Sequence, residues 1–398
     1  MKSKPHILIA GGGIGGLAAA LALLLRGFDV DVYEQAAELK EVGAGIQISP
    51  NGNRALDSLG VCDRLSAMSS HPEAKNVRLW NTGRTWDAFD LGTEAVRRFG
   101  YPYLTVYRPD LLQVLVDGVR AIKPDAVHLD RRAAGFRQRG GSVVLQFADG
   151  TEAGGDALIG ADGVHSQIRS QLWGATMAKF TGMVAWRGVI PMERLPENHR
   201  GPIASAWVGP RGHILHYPLR GGRVLNFVAT IEREDWQTES WSAQGTAEEC
   251  ARDFAGWHED IQIKIRAAPT LFKWALMGRE ALDRWTQGNV SLLGDACHPT
   301  LPLLAQGAVM AIEDAVILGR CFEKYDTVNV ALEAYEAVRR PVTKKKVDGA
   351  LDNLKRFHSP LYEAEETAGP YIEREWGREA IVNRYDWIYS DDITRTPI

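Results

Sequence analysis

The hydrophobic pattern opens with the run His6-Ile7-Leu8-Ile9-Ala10, which predicts a short buried strand. Ile14 to Arg26 is rich in Leu and Ala with no breaker after Gly16, and predicts a helix. Phe28 to Tyr33 reads as a second strand, so the chain begins with a β-α-β unit. Two further short apolar strands, Ala157 to Gly160 and Val290 to Gly294, end in glycine and an aspartate-bearing turn; they are expected to return to the same sheet.

The texture changes between them. Met183 to Pro191, Ile203 to Val208, His213 to Leu219 and Arg223 to Ile231 are strand-like and joined by turns such as Gly209-Pro210 and Gly221-Gly222, the pattern of an antiparallel sheet. From Ala308 onward the chain is mostly helical. The expected fold is therefore α/β. A discontinuous Rossmann-like nucleotide-binding domain comprises residues 1–75, 100–180 and 280–330. A substrate domain built on the antiparallel sheet comprises 76–99 and 181–279, and a helical C-terminal region comprises 331–398. The basic residues Arg339, Arg340 and Lys344 to Lys346 are expected on a solvated helix face. The aromatic-rich stretch with Trp376, Tyr385, Trp387 and Tyr389 is expected to pack on a neighbouring domain or subunit.

Composition narrows the partners. With 398 residues, 45% hydrophobic and 24% charged, the chain has ordinary globular values. A net charge of −4 argues against nucleic acid, whose phosphates need an excess of Lys and Arg. The four cysteines are scattered with no zinc-like spacing, so no metal site or disulfide framework is expected, and free thiols point to the cytoplasm. The longest apolar stretch, Leu17 to Leu25, is too short to span a bilayer. Met1 to Lys4 runs directly into the first strand, which is followed by glycines rather than a cleavage site, so neither export nor membrane insertion is expected.

Between strand and helix, Gly11, Gly13 and Gly16 fit GxGxxG. The first permits the tight turn, the second lets backbone approach a pyrophosphate, and the third lets helix and strand pack closely. Glu34 ends the second strand where a ribose-binding carboxylate belongs. Asp156 to Arg169 (DALIGADGVHSQIR) resembles the "DG" motif, and Gly294 to Pro299 (GDACHP) the "GD" motif, of group A flavoprotein aromatic hydroxylases. The resemblance runs from the first strand to about Arg340. It is nearest to salicylate hydroxylases, 3-hydroxybenzoate 6-hydroxylases and 6-hydroxynicotinate 3-monooxygenases.

That resemblance implies FAD as cofactor, NADH or NADPH and molecular oxygen as co-substrates, a small aromatic acid as substrate, and a homodimer. It places Asp295 at the ribityl or pyrophosphate region, Asp162 at the turn beside the pyrophosphate, and Arg108 in contact with the cofactor. The competing readings are a surface salt bridge for Arg108 and a turn or cap for the aspartates. Gln306-Gly307-Ala308 introduces the helix whose N-terminus would face the flavin N1 and O2. Pro302 matches a proline at the flavin ring, a loop-rigidifying role being the alternative.

On the strand His213 to Leu219, His213 and Tyr217 share one face and His216 the other. Positions four apart lie roughly 13 Å apart, so the pair would bracket an aromatic ring. In the resembling enzymes a histidine and a tyrosine stand at the substrate in matching positions, which implies His213 as the base favouring phenolate and Tyr217 as a substrate anchor. His216 reads as structural and His298 as a loop residue shaping the FAD site. Pro302-Leu303 stands where the resembling enzymes carry glutamine or histidine. That apolar loop suits an ortho-hydroxy acid with its own internal hydrogen bond, so salicylate is favoured over 3-hydroxybenzoate and 6-hydroxynicotinate. A flavin dehydrogenase or reductase that inserts no oxygen is the reading from another class.

Overall fold

The computed structural model describes residues 4–39, 44–175, 177–233, 235 and 243–398. The opening strand His6–Ala10 lies near the middle of a six-stranded sheet, paired in parallel with Asp29–Tyr33 on one side and Ala157–Gly160 on the other. Val290–Leu292 extends it beyond Ala157–Gly160. All the apolar runs read as returning strands thus enter this one sheet. The helix Ile14–Leu24 covers it, ending two residues before Arg26 as the chain turns through Gly27 in the left-handed region (φ +74°). Ten of its eleven residues are buried, which explains an apolar composition with no polar stripe.

A second sheet has eight strands. Lys179–Pro191, Val224–Glu232, Gly212–Leu219 and Ile203–Gly209 are adjacent and antiparallel; Leu271–Gly278 flanks them on one side and Ala74–Leu79 on the other. Its alternation separates two faces. Trp186, Trp207, Ile214 and Phe227 point to an outer face covered by the helices Ala247–Asp253 and Glu259–Ala267. Ala185, Ala206, Leu215 and Trp274 point inward against Leu301, Leu303 and the C-terminal helices.

The C-terminal aromatics close that inner face from within the same chain. Trp376, Tyr385 and Tyr389 are buried; Tyr385 packs edge-on to Phe89 and Tyr389 edge-on to Phe99. Fully burying a large apolar side chain contributes about 1.5–3 kcal/mol, so these rings fasten the last helices to the sheet. The basic run reads differently in the structure from the expected solvated face. In the long helix Val328–Phe357, Arg339 and Lys346 are fully buried, because their side chains turn inward onto acidic residues of the helix Gly307–Lys324. Lys344 and Lys345 stay outside; Lys345 lies over the Trp387 ring at 3.8 Å. None of the helices among the described residues is long and apolar enough to cross a membrane.

Candidate active site

The glycine turn shows why its residues are glycines. Gly11 has φ +109°, and a Cβ there would lie 2.3 Å from the Ala161 carbonyl oxygen. A Cβ on Gly16 would lie 2.0 Å from the Gly11 carbonyl oxygen, whereas one on Gly13 would meet nothing within 4 Å. Two glycines are therefore needed for packing, and the third opens backbone to a cavity at the helix N-terminus, where N–H groups favour an anion. Beside it Glu34 accepts from Gly12 N at 2.6 Å and from Ala36 N at 2.9 Å. Asp162 accepts from Ser166 and from the backbone N–H groups of Gln167 (2.7 Å) and Ile168 (3.2 Å). It thereby builds the turn that faces Gly11. Burial raises its pKa, and these donors oppose the shift.

A cavity of about 310 Å³ runs from Gly13 to the second sheet, lined by Arg108, Tyr217, Asp295, Pro302, Gly307 and Ala308 among others. Arg108 begins the helix Arg108–Ile122, and Gly307 and Ala308 begin the helix Gly307–Lys324. Asp295 opens into this space. Its surroundings raise its carboxyl pKa through desolvation, with His298 and Arg108 pulling the other way. A bare glycine turn, a second helix N-terminus and a carboxylate spaced along one cavity suit the pyrophosphate, the electron-rich ring edge and the ribityl hydroxyls of a flavin dinucleotide.

A second cavity of about 290 Å³ shares Gly45, Ile46, Arg108, Asp295, Thr300 and Pro302 with the first. Its far wall is the inner sheet face, with Val228, Trp274, Leu276 and Arg187. Arg187 is only 4% exposed, and its guanidinium lies 5.2 Å from the Trp274 ring and 5.5 Å from Phe272. Sequence reasoning missed it. The available signal was a cation inside the otherwise apolar strand Met183 to Pro191, at a position whose alternation matches Ala185.

The two histidines and the tyrosine of the central strand separate. Tyr217 lines the first cavity, and its ring occupies the place that a Cβ on Gly45 would need, 2.6 Å from Tyr217 Cε2. Burial raises its phenol, with a bond to Gln47 opposing. His213 is on the same face, as expected, but it does not line either cavity: its ring stacks on Phe357 at 4.5 Å and its Nδ1 meets His358 Nε2 at 2.7 Å. The end of the long helix therefore covers the expected base, a placement no strand pattern reveals. His216 faces the other way and accepts from Trp207 Nε1 at 3.1 Å, a structural role.

Behind the helix Gly307–Lys324 lies a fully buried charge cluster. Arg339 donates to Asp314 at 2.7 Å and to Glu313 at 2.8 Å; Lys346 donates to Glu313 at 2.8 Å. His298 Nε2 lies 2.6 Å from Asp314, which also accepts from Gly294 N at 3.2 Å, so the cluster grips the turn that presents Asp295. Asn51 ties Glu313 (2.7 Å) to Gln306 (3.2 Å), the residue that precedes Gly307. Burial alone would raise both carboxyls, but Lys346 and Arg339 at Glu313, and His298 and Arg339 at Asp314, outweigh it and hold both below their ordinary values.

A profile of the FAD-binding-domain family matches residues 4–350. The chain is 35% identical to a 3-amino-4-hydroxybenzoate 2-monooxygenase of Streptomyces platensis, across 97% of this chain and 96% of that protein. It is 39% identical to a 3-hydroxybenzoate 6-hydroxylase of Polaromonas naphthalenivorans, across 89% and 88%. This chain belongs to the group A flavoprotein hydroxylases. Among solved structures, Klebsiella pneumoniae HpxO complexed with FAD and uric acid superposes with a TM-score of 0.83 at 28% identity, covering 98% of this chain and 96% of that one. The protein is thus an FAD-dependent aromatic monooxygenase, and the flavin dehydrogenase reading falls away.

Proposed function

We propose that this hydroxylase acts on a small monocyclic aromatic acid bearing a ring hydroxyl, bound where the two cavities meet. The observation that carries this reading is the pairing of an apolar wall, Val228, Trp274 and Leu276, with a deeply buried guanidinium, Arg187, in a cavity whose lining also includes Arg108 and Arg279. Apolar side chains take the ring, and a cation held in low dielectric takes a carboxylate far more strongly than it would in water. FAD, reduced by NADH or NADPH, supplies the oxygen transfer to the electron-rich ring. The protein's share is binding by Arg108, Glu34, Asp162 and Asp295, a helix N-terminus at Gly307 and Ala308, a rigid edge at Pro302 and an anchor at Tyr217, whereas His213, covered by Phe357 and His358, lies outside both cavities.

Salicylate leads the candidates because the Pro302-Leu303 loop stays apolar, with Pro302 on both cavities and Leu303 buried. The relatives named for 3-amino-4-hydroxybenzoate and 3-hydroxybenzoate favour a second reading, an acid whose hydroxyl stands meta or para. Oxygen uptake with NADH or NADPH, screened across hydroxybenzoates and hydroxypyridine carboxylates with product identification, separates the two. Arg187→Met is expected to raise KM for carboxylates roughly ten- to a hundredfold, from a charged hydrogen bond of about 1.5–3 kcal/mol, and to leave neutral phenols unaffected. Equal effects on acids and phenols would remove Arg187 from the carboxylate site. A cytoplasmic location is supported by four buried free thiols. The homodimer rests on the family resemblance, since the C-terminal aromatics are buried within one chain; sedimentation at micromolar concentration tests it.

A further inference from the structure

Tyr217 is held at two points by the strand Gly45–Ile48, whose alternation sets Gly45 and Gln47 on one face. Gly45 makes room for the ring, and the Gln47 side chain reaches the hydroxyl; all three residues line the flavin cavity. Gln47 Oε1 accepts from the Tyr103 hydroxyl at 2.8 Å, and the Tyr103 oxygen receives the hydroxyl of Tyr389, the last residue of the helix Arg378–Tyr389. With its oxygen engaged by Tyr103, Gln47 has its N–H end for Tyr217. Burial pushes the Tyr217 phenol up, and the contact with Gln47 lowers it, the effect of a donor. Burial likewise raises Tyr389 and Tyr103, and the bond between them raises the first, which donates, and lowers the second, which accepts. Every bond in the row therefore points the same way, from Tyr389 toward Tyr217, and turning over the Gln47 amide would require reversing all of them.

We propose that Gln47, aligned by Tyr103, fixes Tyr217 as a hydrogen-bond donor toward the cavity, so that the site selects an aromatic acid presenting a ring oxygen there over one presenting a ring amine. This rests on the reading of the protein as a hydroxylase of a small aromatic acid. Tyr217 is the residue that touches the ligand; Gln47 and Tyr103 are positioning residues that act through it. A ring hydroxyl oxygen accepts a hydrogen bond readily. A ring amine does not, because its lone pair is delocalised into the ring and its two N–H groups themselves seek acceptors.

The geometry leaves Tyr217 little choice. Its ring is pinned against Gly45, where an added Cβ would lie 2.6 Å from Cε2, and Asn226, its partner on the neighbouring strand, accepts from Gly45 N at 2.8 Å and locks that contact. What remains is rotation of the O–H, which prefers two directions in the ring plane. An N–H arriving from Gln47 disfavours the direction that points back at it, and the other direction opens on the cavity that Tyr217 lines. Burial keeps the phenol protonated well above neutral pH, so the donor is present throughout the working range.

The test is binding to the oxidised holoenzyme, read from the flavin absorbance change as hydroxybenzoates and the aminobenzoates of the same substitution pattern are titrated in. The wild type should bind the hydroxy member roughly two- to tenfold more tightly, the range of one neutral hydrogen bond. Gln47→Leu and Tyr217→Phe should each bring that ratio close to unity, and Gln47→Leu should add nothing in the Tyr217→Phe background. Gln47→Glu should reverse the preference: an ionised carboxylate only accepts, so it draws the Tyr217 O–H to itself and turns a lone pair to the ligand, while its charge weakens both acids alike. Tyr103→Phe leaves Gln47 in place and should shrink the ratio, which keeps the result readable if substitution at Gln47 costs FAD retention. A wild-type ratio in both Gln47→Leu and Gln47→Glu would overturn the assignment, as would a Gln47→Leu effect that persists in full without the Tyr217 hydroxyl, since Gln47 would then meet the ligand itself. If no hydroxybenzoate or aminobenzoate binds the wild type, the substrate reading falls and takes this assignment with it.

Discussion

Two aspartates near one turn show how differently burial can be used. Asp314 is fully enclosed, yet every approach to its carboxylate is filled by Arg339, His298 or the Gly294 N–H, and its pKa falls. Asp295, on the turn those contacts hold, opens into the cavity, and its pKa rises. The first belongs to a saturated cluster that fixes the backbone. The second keeps its hydrogen-bonding capacity for a ligand. Desolvation acts on both; what separates a structural carboxylate from a binding one here is whether the protein itself supplies the partners.

The widest separation is expected from Arg339→Met. It leaves Glu313 with Lys346 and Asn51, and Asp314 with His298 and the Gly294 N–H, in a site stripped of its shared guanidinium, and removing one partner of a buried ion cluster costs about 3–5 kcal/mol. Urea unfolding should show a large drop in midpoint, and an unchanged midpoint would mean the cluster does not fix the fold. The same cluster sets the acid limb. Because Glu313 and Asp314 titrate below their ordinary 4.5 and 3.8 in the folded chain, their stabilisation is complete above those values and is lost as pH falls through the lower folded values. Wild-type stability should therefore decline below about pH 4.5, and Glu313→Gln should flatten that decline while lowering stability at pH 7.

Asp295→Asn should do the reverse. Asp295 is exposed to the cavity and, among the described residues, pairs with no protein donor that fixes the fold, so apo stability should change little, whereas FAD affinity falls roughly ten- to a hundredfold with the loss of a charged hydrogen bond of about 1.5–3 kcal/mol. Fluorescence titration of FAD beside thermal unfolding of the apoprotein measures both, and a destabilised fold with normal FAD affinity would invert the comparison. The smallest effect is expected at Tyr217→Phe. One neutral hydrogen bond contributes about 0.5–1.5 kcal/mol, so KM should rise a few-fold with coupling nearly intact. A large uncoupling instead would make the hydroxyl part of the chemistry.

Much of the flavin end was legible because its signals are local. The glycine spacing, Glu34 and the two aspartate turns are each fixed by backbone geometry within a few residues, and the structure brings Gly13, Asp295, Gly307 and Ala308 to one cavity. The substrate end was read less well. Strand alternation put His213 and Tyr217 on one face, but which of them meets open space depends on what packs over the sheet, and Phe357 and His358 arrive from a helix over 140 positions away. The same distance hid Arg339 and Lys346, whose basic run looks solvent-facing until Glu313 and Asp314 are set against it.

By itself the sequence determined the class of cofactor, the parallel sheet that carries it and the antiparallel sheet beside it, since hydrophobic period and turn glycines act between neighbours in the chain. Tertiary structure decided which charges are sealed with partners, which cavity wall bears Arg187, and that Phe357 and His358 cover His213. Those outcomes depend on local dielectric and on groups from distant segments meeting within 3 Å or so, quantities that no one-dimensional pattern contains.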